Sequence, residues 1–337
     1  MQKHIILAAI MLGLLWHPAW LSAQEETIDQ TALVLVIDNS GSMDTNDASD
    51  LRYAATRLVM TVADDWDEIG VLCFGDSTST MFALAPMGPT DQRTTITDQV
   101  VRRNCTVSGG TNMTDGILEG INVLQQSASK RKYLLLLTDG EPTTPGTLEA
   151  VVQAQNAGIV VVPVALGSDV TEFFSAVEQL GLNPRKVGSS AELLREFAEI
   201  YSALKPDRYV TVLEHGGTNE LRVNAPQQVN RISFVLTPGS SIVENGIPRT
   251  CPGDSACRPD AEDKYHLLTI DEEPVEGIWQ LGPGGTAIVI TRANFRPALA
   301  YPPTEDTTQT GYYIPRDMTQ TLIGRLQGEM EQQDVPI

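Results

Sequence analysis

The chain has 337 residues, enough for two ordinary domains, and 42% of them are hydrophobic, which supports packed cores and argues against wholesale disorder. Its net charge of −20 repels nucleic acid and anionic membrane surfaces, so the composition argues against both as partners and favours a soluble protein.

Residues 1–23 are typical of a secretory signal peptide. Lys3 precedes an apolar run over residues 5–16, Pro18 breaks the run, and we expect cleavage after Ala23. The run is short for a bilayer span, and an uncleaved anchor is the alternative interpretation. No later segment is long and apolar enough for a transmembrane helix. We therefore expect a protein that is secreted, extracellular or at the cell surface.

Export would place the four cysteines in an oxidising compartment. Cys251 and Cys257 flank a short stretch rich in Pro, Gly and Asp, and we predict that they form a loop-closing disulfide. Cys73 lies in an apolar strand and Cys105 in a loop. The sequence leaves open whether these two pair or whether Cys73 is simply a small buried hydrophobe.

Apolar strands alternate with helices between residues 28 and 204. The predicted strands cover residues 32–37, 69–74, 80–85, 133–137, 159–165 and 186–187. The predicted helices cover residues 48–63, 90–101, 112–126, 148–157, 170–180 and 191–203. This alternation predicts an α/β fold with a doubly wound, mostly parallel sheet. In such sheets ligands bind beyond the carboxyl ends of the strands.

The hydrophobic period changes to two after Lys205-Pro206-Asp207. Short strands are predicted over residues 208–213, 220–223, 231–236, 265–270, 277–281 and 286–291. Turns rich in Gly and Pro separate them, which predicts a small antiparallel β-sandwich of the immunoglobulin-like kind over residues 207–296. Residues 297–337 form either a polar tail or the start of a further element, with one amphipathic helix predicted over residues 317–331.

Two aspartates directly follow strongly apolar strands, so they are expected at the same edge of the sheet. Asp38 opens the run Asp-Asn-Ser-Gly-Ser, and Asp139 follows the central strand. The run places one carboxylate and two hydroxyls in a tight loop, and Gly41 lets the loop fold closely around an ion. Hard oxygen donors of this kind suit Mg²⁺, and less selectively Mn²⁺ or Ca²⁺.

Three segments of the chain resemble the von Willebrand factor A (VWA) family with its metal-ion-dependent adhesion site. They are Asp38-x-Ser40-x-Ser42, Gly110-Thr111 and Thr138-Asp139-Gly140, and they match in order, spacing and strand context over residues 30–204. The resemblance implies a VWA, Rossmann-like fold and a metal site made of Asp38, Ser40, Ser42, Thr111 and Asp139.

The same resemblance implies a role for each site residue. Ser40 and Ser42 would be direct metal ligands, Thr111 a switchable ligand, and the two aspartates mostly acceptors that reach the metal through water. A carboxylate from a partner protein would replace one of the waters on the metal.

Other acidic residues near the motif allow two interpretations. Asp44, Asp47 and Asp50 form either a second cation site or a set of helix caps and solvated charges, and the position of Asp47 favours capping. Glu141 either lines the rim of the site or is solvated.

The sandwich region carries a second resemblance. Segments that begin at Ile232, Tyr265 and Gly277 resemble bacterial secreted A-domain proteins and the calcium-activated chloride channel regulator family. The His-Glu-x-x-His motif of that family's metalloprotease region does not occur in this sequence, so protease activity is not implied.

Catalytic signals are scarce. Only His215 and His266 follow the signal segment, and both are far in sequence from the metal motif. The sequence has no phosphate-binding loop, no Gly-x-Ser-x-Gly and no Cys/His zinc pattern. We therefore expect no enzyme but a module that captures an acidic group of an extracellular protein through Mg²⁺. The alternatives are a secreted hydrolase, or hydrolase subunit, that uses the domain as a scaffold, and a purely structural metal site.

Overall fold

The computed structural model describes residues 30–167, 172–214, 219–223, 229–251, 253–271, 277–282 and 285–293, together with three short strands beyond residue 311. The predicted signal peptide and His215 lie outside the described residues.

A six-stranded sheet forms the first half of the described chain. Its strands are β1 Thr31–Asp38, β2 Glu68–Phe74, β3 Thr78–Pro86, β4 Arg131–Thr138, β5 Ile159–Leu166 and β6 Arg185–Val187. The order is β3-β2-β1-β4-β5-β6, and every pair is parallel except the edge pair β2–β3. All eight residues of β1 are buried, as a central strand with both faces covered requires. The predicted doubly wound, mostly parallel sheet is confirmed.

Helices cover both faces of this sheet. They are α1 Met43–Asn46, α2 Leu51–Val62, α3 Arg93–Thr97, α4 Met113–Gln125, α5 Thr147–Asn156, α6 Glu172–Gln179 and α7 Leu193–Ala203. Helices α2 and α7 pack against one set of alternate β1 side chains, and α4, α5 and α6 lie on the side of the other set.

The helix predicted over residues 90–101 is shorter than expected. A 3₁₀ turn occupies Thr90–Gln92, and α3 ends at Thr97. The Thr97 hydroxyl hydrogen-bonds to the carbonyls of Arg93 and Thr94, at 3.1 Å each. Threonine side chains that bond back to the preceding turn in this way disfavour helix continuation.

Two antiparallel sheets follow the α/β part. Their strands are β7 Arg208–Glu214, β8 Glu220–Val223, β9 Val229–Leu236, β10 Ser241–Glu244, β11 Ile247–Thr250, β12 Cys257–Pro259, β13 His266–Ile270, β14 Gly277–Leu281 and β15 Thr286–Ala293. One sheet has the order β12-β13-β9-β15-β7 and the other β11-β10-β14-β8. Phe234 and Trp279 belong to the apolar core between them. The predicted antiparallel region is confirmed, although β10, β11 and β12 were not predicted.

Three further strands, β16 Tyr312–Tyr313, β17 Leu322–Gly324 and β18 Gln333–Val335, pair with one another. The helix predicted over residues 317–331 is therefore wrong at β17. A three-residue run such as Leu322–Gly324 satisfies a helical and an extended pattern alike, so periodicity does not decide between them.

The five-stranded sheet also packs its outer face on the α/β part, and we call this contact the junction. Val235, Leu267 and Ile290 of that face share an apolar cluster with α2 and α7. Buried ion pairs surround the apolar contact. Arg57 of α2 binds both carboxylate oxygens of Asp260, at 2.6 and 2.7 Å.

Both pairs of cysteines form disulfides, Cys73–Cys105 and Cys251–Cys257. The second was predicted and is confirmed, and the first resolves the open alternative in favour of pairing. In the part of the chain that the structure describes, no helix combines the length and apolar character that a bilayer span needs.

Candidate metal centre

The carboxyl ends of β1 and β4 bring the two predicted aspartates together. These strands are parallel neighbours with Ile37 opposite Leu137, so Asp38 and Asp139 come to the same edge of the sheet. The Thr138 hydroxyl donates to Asp38 Oδ2 at 2.6 Å and links the two strand ends. Asp38 is fully buried and Asp139 is 6% exposed.

The loop after β1 folds back onto both carboxylates. The Ser40 backbone N–H donates to Asp38 Oδ1 at 2.7 Å, and the Ser42 hydroxyl donates to Asp139 Oδ1, also at 2.7 Å. The hydroxyl oxygens of Ser40 and Ser42 are 3.1 Å apart. Four of the five predicted residues therefore form one connected cluster.

Thr111 lies beside this cluster. Its hydroxyl oxygen is 3.8 Å from the position that a Cβ on Gly140 would take. The Thr111 backbone exchanges two hydrogen bonds with Thr143, at 3.0 and 3.1 Å. Residues 105–112, which precede α4, form what we call the Thr111 loop. The Gly41 N–H donates to the Gly109 carbonyl at 3.1 Å, and this bond ties the Thr111 loop to the Ser40–Ser42 loop. All five predicted residues thus meet at one edge of the sheet.

The cluster concentrates negative charge without a cation from the protein. Among the described residues, neither Asp38 nor Asp139 has a Lys or Arg within ion-pair distance. Burial is the largest cause that raises the pKa of Asp38 to about 6. Hydrogen bonds from Ser40 and Thr138 oppose the rise, and the charge of Asp139 adds to it.

This donor set fits a hard divalent ion. Buried carboxylates without a counter-ion are costly, and a bound cation would remove that cost. Two carboxylates balance the charge of a divalent ion, and the neutral hydroxyls of Ser40, Ser42 and Thr111 add the oxygen donors that such ions prefer.

Two asparagines support the site without having been predicted. Asn46 Nδ2 donates to Asp139 Oδ2 at 2.8 Å. Asn39 accepts from Arg52 and Tyr53 of α2 at 3.0 and 2.9 Å, and its Nδ2 donates to the Val107 carbonyl at 2.6 Å. Because Asn39 lies inside the Asp-x-Ser-x-Ser motif, its position in the sequence could have predicted a role at the site. Nothing in the sequence around Asn46 predicts its contact with Asp139, because that contact depends on how α1 lies against Asp139.

The Thr111 loop is anchored on the end of β2. The Cys73–Cys105 disulfide joins the strand to the start of that loop. Asp76 accepts from the Gly110 N–H at 2.5 Å, and its own N–H donates to the Ser108 carbonyl at 3.1 Å. Asp76 comes two residues after the end of β2, and Asp38 is the last residue of β1, so the strand-end rule that predicted Asp38 applies to Asp76 too.

Two of the neighbouring acids cap helices. Asp47 accepts from the N–H groups of Leu51 and Arg52 at 2.9 and 3.0 Å, which confirms the capping interpretation. Glu141 is exposed and accepts from the first two N–H groups of α6, at 2.9 and 3.0 Å. Asp44 forms an ion pair with Arg102.

One curated relative aligns with a third of the chain. It is inter-alpha-trypsin inhibitor heavy chain H1 from Mesocricetus auratus, 30% identical over 118 residues. The alignment covers 33% of this chain and 13% of that protein, so the chain spans a small part of the relative's length.

Several solved structures are similar at low identity. The pilus adhesin SpaC from Lactobacillus rhamnosus GG is 15% identical, with 79% of this chain and 40% of that chain covered and a TM-score of 0.45. A von Willebrand factor type A protein from Catenulispora acidiphila is 14% identical, with coverages of 91% and 66% and a TM-score of 0.46.

Proximal thread matrix protein 1 from the mussel byssus, in a form with a zinc-occupied MIDAS motif, is 17% identical, with coverages of 55% and 50% and a TM-score of 0.43. Because each of these TM-scores lies below 0.5, none of the likenesses bears on the function of this chain.

The sequence profile of the von Willebrand factor type A domain matches residues 32–200, about half of the chain. The matched range includes nearly the whole six-stranded sheet, the helices on both of its faces and all five residues of the candidate metal centre. The chain therefore belongs to the von Willebrand factor type A domain family.

Proposed function

We propose that the chain is a secreted or cell-surface protein-binding module that captures a carboxylate of an extracellular protein ligand through Mg²⁺. The residues that would hold the ion are Asp38, Ser40, Ser42, Thr111 and Asp139. One observation carries the proposal: Asp38 and Asp139 are buried at one sheet edge beside three hydroxyl-bearing residues, with no Lys or Arg in ion-pair contact among the described residues.

The protein's own residues would divide the work. Asp38 accepts hydrogen bonds from Ser40 and Thr138 and so fixes the start of the loop. Asp139 is held by Ser42 and Asn46. Both aspartates would reach the ion mostly through water, whereas the hydroxyls would bind it directly. When bound, Mg²⁺ supplies an electrophilic position at which a partner carboxylate replaces a water.

An open cavity next to the motif supports an acidic partner. Its volume is about 480 Å³, and its lining includes Asn39, Arg102 and Arg103, together with Glu262, whose carboxylate pairs with Arg57 at 3.2 Å. Arg102 pairs with Asp44, whereas Arg103 is exposed. Because the whole chain carries a charge of −20, an acidic partner needs such local positive charge to approach.

The proposal assigns binding, not catalysis, to this site. Of the histidines, His266 lies in the described part of the chain. It is on β13 in the antiparallel part and contacts Asp263 at 2.6 Å. The two disulfides support an oxidising location, which agrees with secretion.

Calorimetric titration of Mg²⁺ into the full chain tests the metal site. We expect saturable binding that Ser42→Ala abolishes. Ser175→Ala is the matched control, because Ser175 is exposed on α6, and it should bind Mg²⁺ like the wild type. No saturable binding by the wild type, or equal binding by Ser42→Ala, would contradict the proposed site.

A pull-down from the native extracellular milieu tests partner capture. A partner should be retained in Mg²⁺ and released by EDTA, and Ser42→Ala should not retain it. If Asp38→Ala lowers the melting temperature and leaves capture intact, the metal is structural and the adhesion proposal fails. Divalent-dependent turnover of an ester or peptide substrate, lost in Ser42→Ala, would favour the hydrolase alternative.

A further inference from the structure

A second cavity lies at the junction, between the end of α2 and the outer face of the five-stranded sheet. Its volume is about 240 Å³. Among the described residues, four arginines line it, together with one acidic residue, Asp271. The arginines are Arg208, Arg231, Arg258 and Arg292. A concentration of this kind is unexpected in a chain with 23 basic and 43 acidic residues.

The strand register places three of these arginines in one row. Arg292 on β15 lies directly opposite Arg208 on β7 and directly opposite Arg231 on β9. Directly opposed residues of antiparallel strands share a face, and like charges in such positions repel each other and destabilise the sheet. The row therefore needs negative charge close to it.

The protein supplies that charge at one end of the row. Arg208 and Arg292 both contact Asp64, at 2.5 and 3.1 Å. Arg292 also binds Asp207 at 2.9 Å. Asp64 is shared further with Lys205, at 3.3 Å, so its charge is divided among three cations.

Among the described residues, the other end of the row is poorly compensated. In that part of the chain the carboxylate nearest to Arg231 is that of Asp271, at 4.0 Å, and the Asp271 side chain is 62% exposed. Arg258 donates to the Thr90 carbonyl at 2.6 Å and has no carboxylate within ion-pair distance among the described residues. Positive charge thus faces the cavity from two arginines.

Further hydrogen-bond donors share the cavity wall. Ser233 and Thr269 lie on neighbouring strands with their hydroxyls 3.3 Å apart, so one hydroxyl donates to the other and the second keeps its O–H for a ligand. The buried Nε of Arg208 has no hydrogen-bond partner among the described residues. Planar guanidinium groups combined with hydroxyls are the donors that proteins use to bind phosphate and sulfate groups.

We propose that this cavity binds a phosphate or sulfate group, either as the free ion or as the end of a monoester. Arg231 and Arg258 carry the charge that the ligand neutralises, and the hydroxyl pair of Ser233 and Thr269 adds one hydrogen bond. The cavity lies at the end of α2 marked by Thr61, whereas the metal centre lies beside the beginning of that helix. The two sites are therefore separate.

Calorimetric titration of the full chain with inorganic phosphate, inorganic sulfate and methyl phosphate, at fixed ionic strength in chloride, tests the proposal. We expect saturable binding that Arg231→Gln weakens at least tenfold. Arg195→Gln is the matched control, because Arg195 is an exposed arginine on α7, and it should not change the affinity. Tighter binding of methyl phosphate than of phosphate identifies a monoester ligand, and the reverse order identifies the free ion.

Melting temperatures separate ligand binding from a folding defect. Without phosphate or sulfate, Arg231→Gln loses one cross-strand repulsion and should melt no lower than the wild type. At an anion concentration that saturates the wild type, the variant gains less stability because it binds the anion at least tenfold more weakly, so the anion raises the melting temperature of the wild type more than that of the variant. Arg231→Lys keeps the positive charge but replaces the planar guanidinium group by an ammonium group. It should bind the anion with an affinity between those of the wild type and Arg231→Gln. If no anion binds saturably, or Arg231→Gln loses the same stability with and without anion, the proposal is overturned.

Discussion

Carboxylates are buried at the junction and at the metal centre, and the groups that compensate their charge differ between the two places. At the junction Asp260 faces Arg57 at 2.6 Å, and Asp64 faces Arg208 at 2.5 Å. At the metal centre Asp38 and Asp139 receive hydrogen bonds from hydroxyl, amide and backbone N–H groups, without an ion pair among the described residues. The buried carboxylates of the junction are neutralised by cations of the protein itself, whereas the buried carboxylates of the metal centre need a cation from solution.

This difference follows from the elements that build each place. The junction joins long basic side chains of α2 and β7 to acids across an interface, such as Arg57 to Asp260 and Arg208 to Asp64. The metal centre is made of short loops whose side chains carry single hydroxyls or amides. A cation-free pocket of this kind is compatible with folding only because each carboxylate oxygen keeps a hydrogen-bond donor.

The largest expected effect is the loss of a junction cation. Arg57→Ala would leave Asp260 buried without its partner, and removing one member of a buried pair costs about 3–5 kcal/mol. Urea unfolding should show this loss, because the Arg57 side chain is 1% exposed and the Asp260 side chain is fully buried.

The double variant Arg57→Ala/Asp260→Ala is the control for this experiment. Removing both charges leaves no unpaired ion, so most of the stability should return. A cost below about 1 kcal/mol for Arg57→Ala alone would show that water compensates Asp260, and the contrast with the metal centre would disappear.

The two disulfides give the next largest effect. Loop-closure entropy grows with loop length, so replacing Cys73 and Cys105 by Ser, 32 residues apart, should cost about 3–4 kcal/mol. Replacing Cys251 and Cys257, 6 residues apart, should cost about 2 kcal/mol by the same relation. Thermal or urea unfolding measures both.

Only the first disulfide should affect the metal. Cys105 begins the loop that carries Thr111, so its loss should weaken Mg²⁺ binding, whereas loss of Cys251–Cys257 should not. Equal Mg²⁺ affinity in both double variants would show that hydrogen bonds hold the Thr111 loop in place without the disulfide.

The same substitution at two aspartates sharpens the comparison directly. In EDTA, Asp260→Asn should destabilise the protein, whereas Asp139→Asn removes an unpaired buried charge and should not. Mg²⁺ at a hundred times its dissociation constant should add about 2.7 kcal/mol to the wild type. Asp260→Asn should keep that gain and Asp139→Asn should lose it.

Melting curves of both variants in EDTA and in Mg²⁺ provide the measurement. If the two variants respond alike in both buffers, the carboxylates of the junction and of the metal centre are not different in kind.

The sequence predicted those parts of the molecule that depend on local pattern. The fully apolar run of β1 predicts a buried parallel strand, and the strand ends then place Asp38 and Asp139 at one edge. The hairpin β10–β11 was missed although its turn, Asn245-Gly246, is a strong hairpin signal. Both turn residues have positive φ, 48° and 86°, as that turn type requires.

Contacts between distant segments could not be predicted in the same way. Arg57 and Asp260 are separated by 203 residues, and nothing in either neighbourhood identifies the other. The Cys73–Cys105 pair stayed open for the same reason, because pairing depends on where the loop after α3 returns to β2. The arginine row of the junction cavity appears only once the register of β7, β15 and β9 is known.

The smallest expected effect is on acid stability, and it concerns Asp64. Burial alone would raise the pKa of Asp64, but Arg208, Lys205 and Arg292 outweigh it and hold the pKa below the ordinary value of 3.8. A carboxyl whose pKa is lowered by folding stabilises the folded state above its unfolded pKa, and this stabilisation is lost as pH falls through the folded pKa. The junction should therefore weaken below about pH 3.8, by at most about 1.4 kcal/mol per pH unit for this one group.

Urea unfolding between pH 5 and pH 2.5 would measure this loss. Asp64→Asn should be less stable than the wild type at pH 5, and the difference should shrink below pH 3.8 as the wild-type carboxyl takes up its proton. Asp98→Asn, at an exposed acid, is the control and should run parallel to the wild type. A constant difference between Asp64→Asn and the wild type over the whole range would mean that Asp64 acts through packing and not through its charge, and the junction would then not be closed by ion pairs at this position.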